Sequence, residues 1–168
     1  MDDMRVQVKE MWQFLTEHSG QFDVFSKDDR QGDAFKARHR AALDGLIAAG
    51  ALSAPVAERL QVAFDEAVLH IWHSQSMCYM MIPMEAFPRG DLLARARALG
   101  ELEAGLDAEQ MPAVALARAA LERDMAFFQD KSKDKQLAAL WQSGEIPVDQ
   151  ETHAAAQFLA GLLSEERS

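Results

Sequence analysis

The chain has 168 residues, 49% of them hydrophobic and 26% charged, with a formal net charge of −10. These proportions exclude a wholly disordered or collagen-like chain, and the length suits one domain with a real core. The acidic balance argues against a protein held on nucleic acid by phosphate contacts; it is spread evenly, −4 over residues 1–84 and −6 over residues 85–168, as a solvated surface would be.

The first segment places Met4, Val8, Met11, Trp12 and Leu15 on one helical stripe. A polar loop over residues 19–33 follows, with Phe22 and Phe25 as its apolar anchors. Its Asp28, Asp29 and Asp33 miss the spacing of a calcium loop, and Asp33 reads as the N-cap of the next helix. That helix carries Phe35, His39, Ala42, Leu43, Leu46 and Ile47 inward.

A third helix is announced by Ser53-Ala54-Pro55, a cap and a first-turn proline, and its pattern runs to Ile82 with a kink expected near Ser74–Ser76. Pro83 and Pro88 bound the connection over residues 83–90. A fourth helix over residues 91–104 turns Leu92, Leu93, Ala96 and Leu99 inward, with Arg95 and Arg97 read as solvated partners of Glu101.

Asp107 is the expected cap of a fifth helix, whose stripe is Val114, Ala117, Leu121, Met125 and Phe128. The polar run over residues 130–135 either breaks this helix or passes as a solvated stretch, and Leu137, Leu140 and Trp141 resume the apolar pattern. Asp149 caps a last helix with Ala155, Phe158, Leu159, Leu162 and Leu163 inward. Gly50, Gly105 and Gly144 each stand where a helix ends, as left-handed C-terminal caps do. No segment alternates with period two, so the expected fold is all-α: a single-domain bundle over residues 1–168, about seven helices around a long central third one.

Chemistry concentrates in one window. Residues 70–84 hold two of the five His, four of the nine Met and the only cysteine, Cys78. A single cysteine excludes a disulfide within the chain and a Cys-only zinc site. At ~100° per residue, Glu66, His70, His73, Met77, Met80 and Met84 form one line on a continuous helix.

Two readings compete for this window. In the first, the segment is an adaptable interface, with Trp72, Met77, Tyr79, Met80, Met81 and Met84 packing on a protein partner, a second copy of the chain or an apolar ligand. In the second, Glu66, His70 and His73 bind a transition metal or haem, with His39, then His18, as the outside ligand. The Glu-x-x-His and His-Glu-x-x-His patterns of established metal bundles are missing from the sequence, so no cofactor is assigned in the leading reading.

Other chemistries have less behind them. Cys78 and His73 lie about 140° apart on a straight helix, too far to act together. The sequence contains neither a nucleophile elbow nor a phosphate-binding glycine loop. The cluster Lys36, Arg38 and Arg40 is too small, and the helix after Gly50 too acidic, to read DNA. The stretch from Ala67 to Ile82 is broken by His70, His73, Ser74, Gln75 and Ser76, so it does not read as a membrane span. With a start lacking leader features, the expectation is a non-enzymatic, regulatory or partner-binding protein of the cytoplasm.

Overall fold

The computed structural model describes residues 2–18, 28–29, 32–75, 92–105, 111–127, 132–146 and 148–164. Seven helices lie among them: α1 (Asp2–Glu17), α2 (Asp33–Ala48), α3 (Ala54–Gln75), α4 (Leu92–Gly105), α5 (Pro112–Phe127), α6 (Ser132–Ser143) and α7 (Gln150–Ser164). No strand occurs among the described residues, and the fold is all-α.

The longest helix, α3, is also the central one, packing against α1, α2, α4, α5 and α7. Its composition explains why. Ala57, Leu60, Ala63, Phe64, Ala67 and Val68 are all fully buried, a stripe too wide for a helix with only one neighbour. The expected continuation to Ile82, the kink at Ser74–Ser76 and the proline-bounded connection lie outside the described residues.

The core against α3 is built from the predicted stripes. Val8, Met11, Trp12 and Leu15 of α1 are buried, as are His39, Ala42, Leu43 and Leu46 of α2. The same holds for Leu92, Ala96 and Leu99 of α4, Leu121 of α5 and Leu159 of α7, while Leu93, also expected inward, is half-buried. Helix α6 is attached differently. Its main contacts among the described residues are with α4 and α5, and Trp141 is its one buried side chain among those described.

The helix ends follow their local chemistry. At the end of α2 the Gly50 amide donates to the Ile47 carbonyl and the Ala51 amide to the Leu46 carbonyl, with Gly50 at φ 74°. Gly144 repeats this at the end of α6, its amide and that of Glu145 donating to the Trp141 and Leu140 carbonyls. Both are the paired closure that a left-handed residue permits and that glycine adopts without steric cost. Gly105, the third predicted turn, is instead the last residue of α4.

Asp149 caps α7 as expected, accepting from the Thr152 amide at 2.9 Å. It also receives Arg59 of α3 at 2.5 Å, which ties the α7 N-terminus to the central helix. Asp33 does not act as predicted. It is the first residue of α2, and the capping carboxylate is that of Asp29, which accepts from the Asp33 and Ala34 amides at 2.7 and 3.1 Å. A carboxylate four residues upstream reaches the free amides because the chain turns sharply at Gly32, φ 69°.

Candidate functional site

Two groups of polar side chains are buried around α3, at successive positions of its sequence. The first joins α1, α2 and α3. The Trp12 indole N–H donates to His39 Nε2 at 3.1 Å. Since Nε2 accepts, the imidazole proton sits on Nδ1, which donates to Gln61 Oε1 at 2.8 Å. Gln61 then uses its amide nitrogen twice, toward the Lys36 carbonyl at 3.2 Å and Asp65 Oδ1 at 2.7 Å.

The His39 ring stacks on Phe64, centroids 3.8 Å apart and 1° between planes, and Phe64 meets Trp12 edge-on. Burial, with Arg40 adding to it and Gln61 opposing, holds the His39 pKa down at about 4. The ring is therefore neutral at neutral pH, as its bonding requires. Asp65 is pushed up to about 6 by burial, against the pull of Gln61, Lys36 and Arg40.

The second group joins α3, α4 and α5 and is ionic. Arg95 sends Nε to Glu66 Oε1, one terminal nitrogen to Glu66 Oε2 at 2.9 Å, and also reaches Asp124 Oδ2 at 2.5 Å. All three side chains are nearly or wholly sealed from water. Arg123 lies 3.8 Å from the other oxygen of Asp124, and its charge also acts on His70.

Burial raises the pKa of both Glu66 and Asp124, with Arg95 pulling each back. For Arg95, burial works to lower the pKa and the two carboxylates outweigh it, so the net shift is upward. One guanidinium shared by two carboxylates holds its own proton firmly while neither acid is fully compensated.

The structure gives most candidate metal ligands other partners. Glu66 faces Arg95 in the α3–α4–α5 cluster, and His39 sits between Trp12 and Gln61 in the other network. His70 is half-buried near Arg123, its pKa lowered by burial and then by that charge. His18 packs against Phe14, with ring centroids 4.5 Å apart. The side chains of Trp72 and His73 lie outside the description, as do Met77, Cys78, Tyr79, Met80, Met81 and Met84 altogether. Among the described residues no group of three or more His, Cys, Asp or Glu is arranged to hold a metal ion, and no helix is long and apolar enough to cross a membrane.

The expected solvated pairing of Arg95 with Glu101 is corrected: Arg95 is 4% exposed and bound to Glu66 and Asp124. Asp124, Gln61 and the pairing of Trp12 with His39 were missing from the sequence reading. A signal for the ionic group was present. Arg95 shares a helix face with Leu92, Leu99 and Leu102, and Asp124 shares one with Ala117 and Leu121. A lone charge on an apolar face points at a buried partner.

Comparison with known proteins finds no family model, no curated protein and no solved structure that matches this chain.

Proposed function

We propose that this is a non-enzymatic, partner-binding protein of regulatory type, acting through the Met-rich segment over residues 66–84, with Trp72, Met77, Tyr79, Met80, Met81 and Met84 as its contact residues. A protein partner or a second copy is the occupant it suits, with an apolar ligand as a smaller alternative. The observation that carries this reading is the use made of the buried polar groups. Trp12, His39 and Gln61 bond to one another across three helices, and Glu66, Arg95 and Asp124 do the same across three helices.

Side chains with acid–base chemistry thus serve as ties between helices. The Met-rich segment is what remains as a recognition element, and flexible thioethers fit a variable apolar surface. A reducing, cytoplasmic setting suits a chain with a single cysteine. The metal or haem alternative is supported less, because Glu66 and His39 are engaged by Arg95, Trp12 and Gln61.

Light scattering over a concentration series, with affinity recovery from the native cells, tests this. The expected result is a mass above that of one chain, or a stably retained partner. Replacing Met77, Met80 and Met84 with Ser should abolish either while leaving helical circular dichroism unchanged. A monomer that retains nothing contradicts the proposal, as does a triple variant that loses its helical signal, since that places the face in the core. Elemental analysis and an absorption spectrum of the same preparation test the metal alternative.

A further inference from the structure

A cavity of about 140 Å³ lies where α4, α5 and α6 meet the chain leading into α7. Its lining is Ala96, Gly100, Arg118, Trp141, Ile146 and Val148, with Gly144 also contributing. The smallness of the α4 side gives it room, since Ala96 and Gly100 stand one turn apart. The space over Gly100 belongs to Val148, whose Cγ2 lies 2.6 Å from where a Cβ would be, so the wall there is fixed. At Gly144 a Cβ would meet nothing within 4 Å.

The aromatic wall is held before any ligand arrives. The Trp141 indole N–H donates to Glu122 Oε1 at 3.2 Å, and Arg118 stands 4.6 Å from the indole centroid while bonding the same carboxylate at 3.0 Å. Trp141 is only 8% exposed, so this arrangement is a seated side chain and not a surface stack. Because the indole N–H is already bonded, Trp141 offers the cavity carbon and π surface. The side chains of Ala96, Ile146 and Val148 add hydrocarbon, and Arg118 supplies the one charged side chain of the lining among the described residues. Preformed apolar pockets with one oriented polar group are the usual form of small-molecule sites.

We propose that this cavity binds a small, uncharged single-ring aromatic molecule. Size is the first argument: the volume is close to the roughly 150 Å³ at which an enclosed apolar cavity takes up benzene, and this one is open on one side, so a single ring can enter it. Chemistry is the second. An aromatic ring suits an indole wall in stacked or edge-on contact, and a guanidinium beside it favours a π face over a saturated one. The bound ring would bridge α6 to α4. The consequence is that α6, anchored otherwise by Trp141, becomes harder to detach.

The full chain, labelled with ¹⁵N, is titrated with phenol and, separately, with cyclohexanol as a saturated probe of similar size. The proposal expects saturable shifts at the Trp141 indole N–H and at the Gly100 and Gly144 amides, in the millimolar range suited to so few heavy atoms. It also expects transferred contacts between phenol ring protons and the Ile146 and Val148 methyls, and slower hydrogen exchange in α6. Cyclohexanol should bind on the order of tenfold more weakly. Ile146→Phe, which fills the space from a half-buried position, should remove saturation; if that variant does not fold, the methyl contacts in the unaltered chain decide.

Shifts that stay linear to the solubility limit and spread over the surface overturn the site. Equal binding of cyclohexanol overturns the aromatic assignment.

Discussion

The two ends of the polar core solve one problem differently. Around Phe64 the sealed polar side chains, Trp12, His39 and Gln61, are neutral, and the one carboxylate, Asp65, stands at the edge of the set as an acceptor: Trp12 donates to His39, His39 to Gln61, and Gln61 to Lys36 and Asp65. At the next residue of α3 after Asp65 begins the ionic set of Glu66, Arg95 and Asp124. Neutral hydrogen bonds cost little to bury and contribute modestly. Buried charges cost much to desolvate and hold only while every partner is present. The α1–α2–α3 side should therefore tolerate loss of a member better than the α3–α4–α5 side.

The largest test of that contrast removes the shared cation. Arg95→Leu takes the hydrogen-bonding cation from both buried carboxylates, leaving Asp124 only the more distant Arg123, and should cost about 3–5 kcal/mol in denaturant unfolding. Adding Glu66→Gln and Asp124→Asn to the same chain removes the stranded charges and should recover most of that loss. If the triple variant is no better than Arg95→Leu, the charges are not the cause.

On the neutral side, His39→Leu strands the Trp12 N–H and the Gln61 carbonyl, and the expected loss is about 1–3 kcal/mol. Urea midpoints of the two single variants, measured side by side, rank the two regions directly. Asp149→Ala removes both the cap of α7 and the partner of Arg59, with an expected cost of about 1–2 kcal/mol. Because Arg59 holds the Asp149 pKa well below the usual carboxylate range, that contribution is present above about pH 4 and fades only as the solution is acidified below it.

The neutral network also has a pH signature with two opposed parts. His39 titrates near 6.5 when unfolded and at about 4 when folded, so its contribution is full above 6.5 and is lost as pH falls toward 4. Asp65 runs the other way: its folded value of about 6 lies above the unfolded 3.8, so stability is gained as pH falls between them. Asp65→Asn keeps an acceptor for Gln61 and removes the gain. Its stability should drop more steeply than that of the parent chain between pH 6 and pH 4. Smallest of all is Arg40→Ala, which breaks an exposed pair with Glu58 and should cost at most about 1 kcal/mol.

Much of the fold was legible because amphipathic helices advertise their inward faces. Val8, Trp12 and Leu15, or Ala155, Leu159 and Leu162, are buried as their spacing requires. The capping of α2 was misread because Asp29 lies across a left-handed glycine from the amides it serves, and linear spacing alone does not show such a reach. The candidate site was less legible still. Glu66 and Arg95 are 29 residues apart, as are Arg95 and Asp124, so their convergence depends on how three helices pack. The near neighbour Glu101 looked like a sufficient partner for Arg95 only while α4 was considered by itself. His39 was placed correctly on a buried stripe, but the identity of its partners came from the two other helices.

The proposed function assigns recognition to the Met-rich segment, and what covers that segment can be read covalently. The chain would be produced with photo-methionine in its native cells, irradiated, and its crosslinked peptides spanning residues 77–84 sequenced. Crosslinks from Met77, Met80, Met81 or Met84 to another polypeptide, either a second copy or a distinct protein, are the result expected here. Crosslinks that run only to α4, α5 or other parts of the same chain would show the face to be core and contradict the proposed function.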